Sequence, residues 1–85
     1  MASRRAAVTY DLLDSYGRVV YRGQTIDPQR RQGQHRRAGK QFSRMQVTSD
    51  RMANGDARTQ ERAFLATYRG SHNGHLPKYN KSRNG

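Results

Sequence analysis

Glu61 is the residue from which a chemical reading of this sequence starts. The chain has six acidic residues, and five have ordinary local settings. Asp14 and Asp50 sit in or beside turn signals, Asp27 and Asp56 precede helical stretches, and Asp11 lies in an extended run. Glu61 is the only glutamate and falls mid-helix, with Ala57, Phe64, Leu65 and Tyr68 at i−4, i+3, i+4 and i+7. Those positions form the apolar face of the helix. A carboxylate there is costly unless it is paired or bound to a metal. Two partners are open: one of the many arginines, or a divalent cation such as Mg²⁺ or Mn²⁺. Mg²⁺ takes hard oxygen ligands and often only one or two protein carboxylates.

Two tyrosines and a basic helix could supply the rest of a site. Tyr10 lies in "AVTYDLL" and Tyr21 in "VVYRGQT". The first run alternates, with Val8, Tyr10 and Leu12 on one face and Thr9, Asp11 and Leu13 on the other. "DSYG", Asp14 to Gly17, reads as a type I turn. Centred between Ser15 and Tyr16, it places Leu12 opposite Val19 and Tyr10 opposite Tyr21. Such a pair is either a hairpin-stabilising aromatic contact or part of a site. Next comes a helix with Asp27 as N-cap, Pro28 at its first position and Gly39 as its stop. It has almost no apolar residue. Arg30, Arg31, His35, Arg36 and Arg37 make it a solvated basic helix or a surface for a polyanion, and Lys40 extends the charge. Arg31 and His35, four apart, share a face. His72 and His75 lie in a Gly/Asn-rich stretch with no further ligand nearby, a poor match to a zinc site.

These residues need a scaffold. A third strand is expected over Arg44 to Thr48, and a second helix from about Ala57 to Tyr68, capped by Asp56 and ended by Gly70. A short turn is expected around Leu76 to Asn80. One domain is the ceiling at 85 residues, and folding at this size hides only roughly 60% of the chain's surface. Eleven residues are Leu, Ile, Val or Phe, a disorder-like content that the specific caps and turns argue against. The formal charge of +11 points to nucleic acid before anionic membrane. No apolar run reaches the ~20 residues of a membrane span. With no cysteine, disulfides, thiolate zinc sites and cysteine nucleophiles are excluded.

Taken in order, Val8-Thr9-Tyr10, Tyr21-Arg22-Gly23, Arg31, His35 and Glu61 resemble the GIY-YIG nuclease superfamily. That family has two short tyrosine-bearing strand motifs, then a helical arginine, often a histidine one turn on, and a metal-binding glutamate on a later helix. An asparagine near the end is matched by Asn80. The likeness spans Val8 to Asn80. It departs where the first motif lacks Gly-Ile and where Arg22 replaces the usual isoleucine.

The resemblance implies an α+β fold: a three-stranded antiparallel sheet flanked by helices in ββαβα order, with a short C-terminal helix or turn. It implies one-metal hydrolysis of nucleic-acid phosphodiesters. Glu61 then holds the cation, and Arg31 meets charge growing on phosphate. Tyr10 or Tyr21 acts on the nucleophilic water, its phenol acidified by nearby positive charge. His35 passes the proton on and Asn80 orients the group or the phosphate. Gly23 admits phosphate closely, and Arg22, Arg30, Arg36, Arg37 and Lys40 contact nucleic acid. A monomeric, weakly specific DNase is expected, with RNA also open as substrate. It would be of the kind delivered into a target cell's cytoplasm as a bacterial toxin domain, with an immunity protein as partner. The alternatives are a catalytic fragment of a homing, repair or restriction nuclease, and a non-catalytic basic nucleic-acid-binding module.

Overall fold

The structure is a computed structural model, which describes residues 6–80. Its elements run β1 (Val8–Leu13), β2 (Val19–Thr25), α1 (Pro28–Arg37), β3 (Arg44–Val47) and α2 (Asn54–Ser71). This is the expected α+β class and ββαβα order. The sheet is antiparallel, with strand order β2-β1-β3. The middle strand carries the chain's most apolar alternating run, and each of its six residues is buried. The described residues end in the expected turn, closed by the Asn80 N–H donating to the Pro77 carbonyl at 2.9 Å. No helix among the described residues is long and apolar enough to cross a membrane.

The hairpin register differs from the expected one by two residues. Tyr10 pairs with Gly23 and Leu12 with Tyr21. The "DSYG" turn itself forms, its Gly17 N–H donating to the Asp14 carbonyl at 3.0 Å. Gly17 then takes φ +80°, and the Asp14 N–H reaches Arg18 rather than Gly17. This glycine bulge adds one residue. A second irregularity, between Leu12 and Leu13, passes over Val20 and adds another. One slip would have turned Tyr21 to the far face, because side chains alternate with period two. Two slips return it to the face of Tyr10.

Helix α1 begins and ends where its caps demand. Asp27 Oδ1 accepts from the Arg30 N–H at 3.1 Å, and Gly39 takes φ +87° beyond the last turn. Helix α2 starts three residues earlier than expected. Ala53 is its N-cap, without a side-chain bond, and Asp56 sits in the first turn rather than capping it. There the carboxylate still meets the positive end of the helix dipole. Gly70 does not stop the helix. Asn73, at φ +58°, is the left-handed residue after the C-cap, and the Gly74 N–H closes back on the Arg69 carbonyl at 2.8 Å.

The two helices meet the sheet through different residues. His35 of α1 meets Tyr10 on the tyrosine face. Phe64 of α2 meets Arg22, which alternates away from Tyr21. The outer edge of β2 is covered by the C-terminal turn. The Tyr79 N–H donates to the Val20 carbonyl at 2.7 Å, and Asn80 pairs with both backbone groups of Arg22. An edge that would otherwise offer unpaired N–H and C=O groups is closed.

Candidate active site

The tyrosine face gathers three aromatic rings. Tyr10, on the central strand, is 0% exposed. Its hydroxyl lies 2.7 Å from His35 Nε2. Tyr21 is half-buried, with its ring centroid 4.8 Å from His35 and 6.0 Å from Tyr10. Lys40 Nζ lies 5.5 Å from the centre of the Tyr21 ring.

Gly23 explains how the rings come so close. A Cβ there would sit 2.7 Å from the Tyr10 hydroxyl and 2.7 Å from Tyr21 Cε2. The glycine is buried, and the space it leaves is filled by tyrosine. The expectation that this gap admits phosphate is therefore corrected.

Burial sets the protonation states. It pushes the Tyr10 phenol far above its ordinary value of 10.0, the nearby Tyr21 adds to this, and the Arg31 guanidinium opposes it. Tyr21 is also raised, first by burial and then by the negative charge of Glu61. Positive charge thus acts in the expected direction but loses to desolvation, so neither phenol is acidified. His35 is lowered to about 4, by burial first and then by Lys40 and Arg31. At neutral pH the cluster is two phenols around an uncharged imidazole.

Glu61 is 2% exposed. It has no hydrogen-bonded or ion-paired partner among the described residues. Burial raises its carboxyl from 4.5 to about 7, against the pull of Arg22, Arg58 and Arg62. Arg22, which pulls hardest of the three, is already engaged. Arg22 Nε donates to Asp11 Oδ1, and its Nη2 donates to Asp11 Oδ2 at 3.1 Å. The described residues hold no group of three His, Cys, Asp or Glu able to enclose a metal. An unpaired buried carboxylate on its own fits a hard cation that keeps most of its waters. It does not fit a closed, all-protein metal cage.

Two residues take roles other than those their place in the sequence suggests. Arg22 is buried and bound to Asp11, and its guanidinium lies 3.7 Å from the centre of the Phe64 ring. Its charge is spent inside the fold rather than on phosphate. Asn80 is buried too. Its Oδ1 accepts from the Arg22 N–H at 2.8 Å and its Nδ2 donates to the Arg22 carbonyl at 3.0 Å. It holds the strand between Tyr21 and Gly23 and is a positioning residue. Arg30, Arg36 and Arg37 are exposed along α1, as a nucleic-acid surface requires, and Lys40 is half-buried. Arg36 also covers Phe42, 4.2 Å from its ring centre. Arg30 and Arg31 line a hollow of about 270 Å³ with Thr25, Ile26, Asp27 and Gln34.

Sequence reasoning missed the partner of Arg22. The signal was present, because Asp11 and Arg22 fall on the same face of neighbouring strands. No protein-family model matches the chain, and no curated protein and no solved structure matches it.

Proposed function

We propose that the protein is a divalent-metal-dependent endonuclease of GIY-YIG type that hydrolyses DNA phosphodiesters with little sequence specificity. The observation that carries this reading is the joining of Tyr10, Tyr21 and His35 into one cluster, with Arg31 and an unpaired Glu61 within electrostatic reach of it. The order in which these residues occur in the chain, resembling that family's, supports it. So do the formal charge of +11 and the exposed arginines of α1.

The side chains divide the work. Glu61 would hold Mg²⁺ or Mn²⁺, which when bound would supply Lewis-acid stabilisation of charge on the phosphate oxygens. Arg31 presents a forked donor to the same charge. Tyr10 has no exposed surface, so Tyr21 is the phenol that meets the attacking water. A phenol with a raised pKa is a poor free base, and a relay avoids ionising it. Tyr21 takes a proton from water as it passes its own to Tyr10, and Tyr10 passes its own to His35 Nε2. The hydroxide formed attacks phosphorus, and the P–O bond to the leaving group breaks, releasing an alkoxide that takes a proton from solvent while His35 returns its own. An anionic phosphate nearby favours the protonated imidazole and so assists the transfer.

The test is plasmid nicking, with RNA as a parallel substrate, in Mg²⁺ and in chelator. Wild type should nick only with the cation, and Glu61→Ala should lose the activity. Equal behaviour of the two proteins would sink the assignment. Salt-sensitive binding that ignores chelator, with no cleavage, would identify a basic binding module instead.

A further inference from the structure

Helix α2 carries a row of rings outside the tyrosine cluster. Phe64, Tyr68 and His72 recur every four residues and so share one stripe. The Phe64 and Tyr68 centroids are 6.0 Å apart. Tyr68 and His72 stack at 3.7 Å and 2° from parallel. At the other end the Arg22 guanidinium stacks on Phe64. The apolar cluster around Tyr10 and Phe42 includes none of the three rings. Phe64 and Tyr68 are half-buried and His72 is exposed, so the row runs from the sheet out to the surface.

The outermost ring is held flat. His72 Nδ1 lies 2.8 Å from the Tyr68 carbonyl oxygen and 3.0 Å from Ser71 Oγ. An exposed ring fixed parallel to its neighbour presents a π-face ready for another planar group. The stripe borders the buried line Ala57, Glu61 and Leu65. His72 lies eleven residues beyond Glu61, about 16 Å along the axis. Charged neighbours on α2 include Arg58 and Arg69, and its one other acid is Asp56 in the first turn.

We infer that Phe64, Tyr68 and His72 form a stacked track whose outer end, the exposed His72 ring, takes an unpaired base of a single-stranded nucleic acid. Charge selects a polyanion, and ring faces select its bases. In a duplex those base faces are already stacked on one another, whereas an open strand presents them. The inference rests on the nuclease reading for the purpose of the track, not for its existence.

Fluorescence anisotropy in chelator, where nothing is cut, tests it. Labelled oligo-dT, oligo-U and a DNA duplex are titrated with wild type, Tyr68→Ala, Tyr68→Phe and His72→Ala. His72→Ala, which removes the ring that meets the base, and Tyr68→Ala, which removes the ring it is stacked on, should each weaken single-strand binding roughly five-fold or more. Duplex binding should stay within about two-fold, since phosphate contacts carry it. Tyr68→Phe keeps the ring and should bind as wild type. A 2-aminopurine in the oligonucleotide should be quenched by wild type and less by the alanine variants. The dT and U arms distinguish DNA from RNA as the source of the bases. If Tyr68→Ala loses its helical circular dichroism, Tyr68→Leu and the exposed His72→Ala decide the matter. Unchanged single-strand binding, or equal losses on single strand and duplex, would overturn the track. Tyr68-dependent binding without cleavage in Mg²⁺ would overturn the nuclease reading and leave the track standing.

Discussion

Replacing Glu61 by glutamine should stabilise the protein at alkaline pH and abolish the proposed nuclease activity. The carboxyl titrates near 4.5 in the unfolded chain and at about 7 in the fold. Between those values the fold keeps a proton that the unfolded chain has lost. Its contribution to stability is therefore complete below 4.5 and is lost as pH rises to 7. At ~1.4 kcal/mol per pH unit, the loss is at most about 3 kcal/mol. His35 runs the other way. Its folded value of about 4 lies below 6.5, so its contribution is present above 6.5 and lost as pH falls. The two slopes are similar in size and opposite in sign between pH 4.5 and 6.5, so the wild-type profile should be nearly level there. Glu61→Gln removes one slope and exposes the other. In chelator, thermal unfolding of the two proteins should coincide near pH 4.5. By pH 8 the variant should melt higher, by on the order of 10 °C for a domain of this size. Adding Mg²⁺ at pH 8 should raise wild type alone and narrow the gap. A gap that is the same at pH 5 and pH 8 would refute the claim that Glu61 is buried without a partner.

The sheet face offers two further tests. Gly23→Ala should lower stability by about 1–3 kcal/mol through overpacking, because its Cβ falls within 3 Å of both tyrosine rings. An alanine in a strand ordinarily gains about 0.5–1 kcal/mol over glycine, so an unchanged or raised melting temperature would show that the rings are not where the structure puts them. Asn80→Ala leaves the Arg22 N–H and carbonyl without their partner and should cost about 1–3 kcal/mol for each group left unsatisfied. Amide exchange at Arg22 reads this directly. It should quicken at least ten-fold, and wild-type protection would show that Asn80 does not hold the strand.

Local rules were legible in the sequence and longer-range ones were not. The limits of α1 follow from Asp27, Pro28 and Gly39, each acting within a turn of its own position. The "DSYG" turn is equally local. The register beyond it was hidden, because nothing in "RVVY" marks Val20 as the residue to pass over. Helix α2 begins at Asn54-Gly55, a pair that reads as a loop by composition. Its end was misplaced because a glycine inside a helix costs only about 1 kcal/mol, while the left-handed Asn73 sets the stop. Helical spacing put Glu61 on the buried face. That Arg22 pulls on it without pairing with it depends on Asp11, fifty residues away in the chain, having taken that guanidinium.

The site and the core are largely the same atoms, and this follows from how little apolar material the chain has. The buried cluster is Tyr10, Leu12, Val20 and Phe42, with Tyr21, Met45 and Tyr79 against it. Two of the rings assigned to proton transfer are thus also packing elements. Helix α1 shows the consequence. It has no apolar stripe, and its one buried residue is His35. The Tyr10–His35 bond therefore does for α1 what a leucine does for an ordinary surface helix. The same helix carries Arg31, which acts on Tyr10. Breaking the bond removes the proposed proton-transfer partner and loosens the element that carries the arginine. Substitutions at Tyr10 or His35 should then lower stability and activity together. Arg31, which is only half-buried, can be changed with little loss of fold. Arg31→Lys, which keeps the charge and loses the planar fork, is thus the variant that separates chemistry from scaffold.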